Sequence, residues 1–348
     1  MSSDTIFACA LKDRLKQLGL DDHVAMIFYL HTRADGIVHK AASESFRRYY
    51  DHMVQAADGT ISVSDSVLDS FMQTGNGQFD RSSAFVVRNG IDPYIYVIDA
   101  ESEVTKARAE IGLAPDLEKV VSYAGRLDKI KGSSFLARVL EHFDRSKDPK
   151  DSKVGFVIAT PHVLNIDSAS RHFKWVMRME RLIRENRLKI VLDISKFTRS
   201  DPRFRGHVHD ILVDYARLRG YSEIEHHQAY GGMTNKPVQT FSDIYLHPSR
   251  SEGLPLAVVE AVLSGAYVIA TPVGGIPEVV IDKTLGTLVE IGTDINAFVN
   301  KLIMEICGRD VQRTYDRAHL ADHLASYTEG HMFTEFSKAV SQIIERKR

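Results

Sequence analysis

Two carboxylates, Glu252 and Glu260, stand with seven residues between them in the segment SRSEGLPLAVVEAVLSGAYVIATPVGGIPEVV, residues 249–280. The first follows a strand-like run, SDIYLHPS, and the second lies in a helical pattern that Pro255 opens and Gly265 closes. Proline at the start of a helix and glycine just past its end are the expected punctuation. At roughly 3.6 residues per turn, Glu260 falls about one and a half turns into that helix and reaches the same crevice as Glu252 from its wall. In open α/β sheets, ligands bind outside the C-terminal ends of the strands, where helix N-termini aim free N–H groups at anions. A second strand-like run, GAYVIATP, ends in VGGIPE, where Gly274 and Gly275 let backbone approach a ligand closely and Pro277 opens another helix. The amides of Gly253 and Leu254 are further candidate contacts, while Pro255 has no N–H to give.

A second constellation lies upstream in AGRLDKIKG, residues 124–132, after the strand-like KVVSYA. Arg126 offers a planar fork that binds an anion bidentately, and Lys131 offers a compact point charge on a flexible stem. His31 ends a further apolar run, AMIFYLH. Fifteen histidines include the pairs in IEHHQAY and HVHD, but neither stands with carboxylates or cysteines at a metal-ligand spacing. No metal is expected.

These residues need elements to hold them. Short β-branched or aromatic runs alternate with helical patterns at VAMIFYLHT, GTISVS, AFVVRNG, KVVSYAGR, KVGFVIAT, RLKIVLDIS, SEIEHHQAY, SDIYLHPS, GAYVIATP and LGTLVEI, the signature of parallel βα units. With 348 residues and 44% hydrophobic content the chain is long enough for two such domains. Residues 1–92 form the first, 93–117 a linker, 118–325 the second, and 326–348 a C-terminal helix that packs back on the N-terminal half. The net charge of −2 gives no overall field for nucleic acid or an acidic membrane, so any anion is met locally. Two cysteines, Cys9 and Cys307, support neither a disulfide framework nor a structural zinc site. No apolar run approaches the roughly 18 residues that cross a bilayer, and a cytoplasmic location is expected. The basic stretch RHFKWVMRMERLIRENRLK suggests a membrane-surface helix, but Phe173, Val176, Leu182 and Ile183 give it an ordinary core stripe.

Together, AGRLDKIKG and PSRSEGLPLAVVEAVLSGAYVIATPVGGIPEVV closely resemble the signature of the retaining glycosyltransferases of family 4, also called group 1, which have the GT-B fold. Arg126 and Lys131 occupy the family's R-x4-K positions, and Glu252 and Glu260 its E-x7-E spacing. The stretch FYLHT resembles the strand that delivers a histidine to the active site, here His31. The resemblance implies an α/β protein with two Rossmann-like domains facing a cleft. It implies a hexosyltransferase that uses a UDP- or GDP-sugar as donor substrate, without a cofactor, and a hydroxyl of a saccharide, lipid or small molecule as acceptor. By that resemblance Arg126 and Lys131 hold the diphosphate, Glu260 accepts hydrogen bonds from the ribose hydroxyls, and Glu252 touches the donor sugar as a positioning and electrostatic residue rather than a nucleophile.

Two departures from the family's pattern follow. After KVGFVIAT, where the family shows a glycine-rich turn, the chain has PHVLNIDSASRHF. The stretch ahead of His31 is also shorter than in the family, so the N-terminal domain reads as its second half only. A sheet lacking strands leaves edge groups and an apolar face to be covered, which implies a second copy of the chain or a separate polypeptide that completes the domain. Two functions therefore stand open: a transferase, or a non-catalytic nucleotide-sugar-binding subunit that needs a partner chain.

Overall fold

A computed structural model describes residues 3–31, 56–74, 80–96, 101–160, 175–176, 178–193, 230–234, 237–310 and 324–347. Among the described residues, ten strands form two parallel sheets. The first sheet has the order β1 (Ile27–Leu30), β2 (Gly59–Ser62), β3 (Ala84–Val86). Helix α1 (Ser3–Gln17) precedes β1, and α2 (Asp65–Thr74) follows β2. Helix α3 (Glu101–Glu110) then leads to the second sheet, which begins with β4 (Lys119–Ala124).

The second sheet continues through α4 (Ser133–Arg145), β5 (Val154–Ala159), α5 (Glu180–Arg184), β6 (Leu188–Asp193) and β7 (Tyr230–Thr234). It resumes with β8 (Ile244–His247), α6 (Leu256–Leu263), β9 (Tyr267–Ala270), α7 (Ile276–Val279), β10 (Gly286–Leu288) and α8 (Ile295–Gly308). Helix α9 (Glu329–Lys347) ends the described chain. Among the described residues no helix is long and apolar enough to cross a membrane.

Strand order in the second sheet is β10-β9-β8-β4-β5-β6-β7. The chain steps outward from β4 on one side, then returns to lay β8 against the other, with Val121 opposite Ile244 and Ser122 opposite Tyr245. The connections therefore leave β4 and β8 in opposite directions and open a crevice beyond their C-terminal ends. Both sequence constellations follow these two strands.

Alternation along the strands feeds a core on each face. Val121 and Tyr123 of β4 join Phe156, Phe135 and Phe298 beneath α4 and α8. Val120 points the other way, into a cluster with Val157, Val191, Val104 and Ala107. The last two belong to α3, so the helical stretch within the segment 93–117 packs on the second sheet. Val104, Ala107 and Ile111 recur at helical spacing and are 1%, 5% and 4% exposed, and burying that stripe holds the helix down. The strand expected over SEIEHHQAY lies mostly outside the described residues, and β7 begins at Tyr230 and runs through YGGMT.

The two sheets share a core. Leu30, Val63, Leu68 and Phe71 of the first pack with Leu254, Val258, Ile276 and Val279 of the second. On the opposite face of the first sheet, Ile61 and Val87 meet Ala339 and Ile343 of α9. The fit is close enough that a Cβ at Gly59 would lie 2.5 Å from the Ile343 side chain. Lys347 ties the end of α9 to Asp58 at 2.8 Å, and Lys12 of α1 reaches the same carboxylate at 2.8 Å.

Candidate functional site

Strand β8 places Tyr245 and His247 on one face, because side chains two apart share a side of the sheet. The chain then turns through Pro248 and Ser249 to Glu252, a carboxylate only 6% exposed. Three side chains converge on it. His247 Nε2 lies 2.8 Å from Oε1, and the Ser249 hydroxyl donates to the same oxygen at 2.6 Å. Lys131 Nζ, arriving from the loop after β4, donates at 2.7 Å to Oε1 and 2.6 Å to Oε2. Burial by itself raises the pKa of a carboxyl, but the hydrogen bond and charge of His247, followed by the charge of Lys131, outweigh it and hold Glu252 at about 2. An ionised carboxylate only accepts, so His247 Nε2 carries the proton in that contact. Its Nδ1 faces the Tyr245 hydroxyl at 3.2 Å, and that hydroxyl lies 3.1 Å from the carbonyl oxygen of Ala124.

The loop carrying Arg126 and Lys131 is braced from below. Tyr123 is buried, which pushes its pKa up, and its hydroxyl sits between the carbonyl oxygens of Arg126 at 2.7 Å and Lys131 at 3.2 Å. Asp128 accepts the backbone N–H of Lys131 at 2.8 Å. Its other oxygen pairs with Arg126 at 3.2 Å, and the Arg126 side chain is 57% exposed. The structure thus brings Lys131 and Glu252 together and leaves Arg126 at the rim, on Asp128. Gly132, at φ +76°, lets this loop touch the next strand's exit, since a Cβ there would stand 2.0 Å from the carbonyl oxygen of Pro248.

Helix α6 starts behind Glu252 with Pro255 as its N-cap. Glu260 is 3% exposed and accepts a hydrogen bond from Gln239 Nε2 at 3.0 Å, so it is a wall residue held in place by a neighbour rather than a solvated one. Leu254 is also buried, in the core between the sheets. Gly274 and Gly275 make their close approach to the Glu252 loop itself. A Cβ on Gly274, at φ +60°, would lie 2.4 Å from the carbonyl oxygen of Glu252, and the Gly275 N–H donates to the carbonyl of Gly253 at 2.6 Å.

The first sheet meets this loop directly. His31, at the end of β1, is exposed, with its ring tilted at 47° on Tyr29 at 4.2 Å between centroids. Partial burial pushes its pKa down. Its carbonyl oxygen is so close to Gly253 that a Cβ there would stand 1.9 Å away. Glu278 of α7 was not singled out from the sequence, yet it links the sheets: its carboxylate accepts the Ser66 N–H of α2 at 3.1 Å and pairs with Arg88 at 2.9 Å. Tyr245, His247, Ser249 and Gln239 were likewise missed. The Tyr-x-His spacing at the end of SDIYLHPS was the available signal for the first two. Among the described residues, no group of three or more His, Cys, Asp or Glu is arranged to hold a metal ion.

Two parallel α/β sheets sharing a core, with charged loops at the switch point of the larger one, define the GT-B class of fold. Residues 221–313 match the family model for glycosyl transferases group 1. The chain is similar to an alpha-maltose-1-phosphate synthase of Mycobacterium tuberculosis, 23% identical over 242 residues, covering 69% of this chain and 50% of the relative. It is also similar to a D-inositol 3-phosphate glycosyltransferase of Actinosynnema mirum, 28% identical over 240 residues, covering 69% and 47%. The chain therefore spans about half the length of these relatives. In fold it resembles Anabaena HepE, solved in complex with UDP, at a TM-score of 0.61 and 16% identity over 97% of this chain and 77% of that one.

Proposed function

We propose that this chain transfers a hexose from a nucleotide diphosphate sugar, UDP- or GDP-linked, to a hydroxyl of a saccharide, lipid or small-molecule acceptor, with retention at the anomeric carbon. One observation carries the reading: a lysine and a buried, ionised glutamate meet at the switch-point crevice with a helix N-terminus behind them. The complex of HepE with UDP and the names of the relatives support it.

In this reading the leaving diphosphate gathers negative charge as the bond to the sugar breaks. Lys131 turns from Glu252 to a phosphate oxygen, and Arg126 swings in from its exposed pair with Asp128 to grip another. Fixed charges of this kind commonly supply several kcal/mol of transition-state stabilisation. Glu252, relieved of the lysine, accepts hydrogen bonds from sugar hydroxyls, and Glu260 accepts them from the ribose. The acceptor hydroxyl attacks the face that the diphosphate leaves, and its proton passes to the departing phosphate oxygen. His31 stands on the acceptor side of the Glu252 loop. Side-chain cations and helix N-termini meet the diphosphate, so no metal or cofactor is assigned, and the reaction is placed in the cytoplasm.

A second reading is a nucleotide-sugar-binding subunit. In it, a second copy or a separate polypeptide completes the acceptor side. Thermal-shift screening of sugar nucleotides, followed by a transfer assay with the stabilising donor, tests both. A donor at 100 times its dissociation constant stabilises by about 2.7 kcal/mol. Stabilisation with turnover supports the transferase, stabilisation without turnover in the chain alone supports the subunit, and no response to any sugar nucleotide removes both.

A further inference from the structure

The Glu252 carboxylate has two kinds of holder. Lys131 reaches it from the neighbouring loop and keeps a quarter of its side chain exposed, whereas His247 is 6% exposed and fixed by β8. The proposed function sends Lys131 to the donor's phosphates, which removes one partner from a carboxylate that has almost no access to water. Burial without a compensating charge or donor favours the protonated form of such a group, and a protonated Glu252 would lose part of its capacity to accept hydrogen bonds from a sugar.

We infer that His247 is the positioning residue that keeps Glu252 charged and aimed once Lys131 has turned to the diphosphate. The inference rests on the donor-site reading above. The His247 Nε2 lies 2.8 Å from Oε1, the oxygen to which Ser249 also donates, so this oxygen stays held while Oε2, which Lys131 holds at 2.6 Å, is released toward the sugar. The ring cannot rotate freely, because Nδ1 lies 3.2 Å from the Tyr245 hydroxyl and the Tyr245 ring stacks near it at 28° and 5.7 Å. The Tyr245 hydroxyl is in turn within 3.1 Å of the Ala124 carbonyl at the end of β4. The arrangement links the exits of β4 and β8, the two strands that frame the crevice.

Among the described residues, the charged and titratable groups facing Glu252 are His247 and Tyr245 of β8, Lys131 of the β4 loop, and Tyr123 of β4. Lys131→Met separates their contributions without any substrate. Isotope-edited infrared spectra at pH 7, with Glu252 identified by difference against the same background carrying Glu252→Gln, report whether the group is carboxylate or acid. The expected result is a carboxylate in Lys131→Met and a carboxylic acid band in Lys131→Met/His247→Leu. An acid band already present in Lys131→Met overturns the inference.

Kinetics then tie the role to transfer. His247→Leu is expected to lower kcat at least thirty-fold while leaving the dissociation constant for free UDP or GDP within three-fold, and His247→Gln, which restores an N–H donor, should recover most of the loss. If His247→Leu does not fold, Tyr245→Phe gives the same test in milder form, with a several-fold fall in kcat at unchanged nucleotide affinity. Parallel loss of kcat and nucleotide affinity would make His247 a general structural residue and overturn the inference. Failure of the unaltered chain to bind UDP or GDP or to transfer would instead remove the donor-site reading, while the infrared result would still decide the carboxylate's state.

Discussion

Lys131 Nζ lies 2.6 and 2.7 Å from the two carboxylate oxygens of Glu252, across the crevice between the loops that follow β4 and β8. The pair joins two stretches 121 residues apart in the chain. It is half-buried on the lysine side and almost dry on the glutamate side, at 25% and 5% side-chain exposure. A cation so placed can leave for a phosphate, while its partner stays.

Removing that cation should act on the donor. Lys131→Ala is expected to lower kcat/KM by 100-fold or more, on the order of 3 kcal/mol of transition-state stabilisation, and Arg126→Ala should also weaken donor use. Circular dichroism should show both variants folded. Unchanged turnover in either variant removes the diphosphate assignment for that residue.

Acid should expose the cost of keeping Glu252 ionised. Its pKa is depressed from 4.5 to about 2 in the folded chain. A depressed carboxyl contributes stability above its unfolded pKa and loses it as pH falls toward the folded value, up to about 3 kcal/mol in this case. The stability difference between the unaltered chain and Glu252→Gln should therefore narrow as pH drops from about 5 to about 2. A difference independent of pH in denaturant titrations would contradict the assigned environment.

Close packing around the Glu252 loop should be unforgiving. At Gly274 a Cβ would meet the Glu252 carbonyl oxygen at 2.4 Å, and φ is +60°. Gly274→Ala combines strain with a backbone clash, for a destabilisation of about 2 kcal/mol or more. A melting temperature equal to that of the unaltered chain would show that the loop accommodates the methyl.

The C-terminal helix should matter to the first sheet rather than the second. Ile343 is fully buried against Ile61 and Val87. Ile343→Ala is expected to cost about 2–5 kcal/mol, the range for truncating a buried aliphatic side chain. Hydrogen exchange should locate the loosening in β2 and β3. Loss of protection confined to β4 and β5 would contradict the packing.

The strand ends that carry Arg126, Lys131, Glu252 and His31 were legible because β-branched runs stop abruptly at loops rich in glycine, proline and charge. The limits are as instructive. In β7 the glycine pair of YGGMT has little strand propensity, so the sequence pattern gave no sign of the strand running through it. In α3 the charged surface of ESEVTKARAE hid a narrow stripe at Val104 and Ala107. His247 and Gln239 were invisible as partners because their importance comes from tertiary placement. One lies beside Glu252 and the other beside Glu260 only after β8 and α6 have packed. The same holds for Glu278, which stands in the quoted motif but finds Ser66 and Arg88 some 200 residues upstream.

In the proposed reaction this crevice reads a nucleotide through Glu260 and a sugar through Glu252. Calorimetric titration of UDP and GDP into the unaltered chain, Glu260→Gln and Glu252→Gln measures it most directly. The expected result is binding of one nucleotide by the unaltered chain, an affinity at least ten-fold weaker in Glu260→Gln, and an affinity within three-fold in Glu252→Gln, which should nonetheless slow transfer. Equal loss of nucleotide affinity in both variants, or no binding of either nucleotide by the unaltered chain, would contradict it.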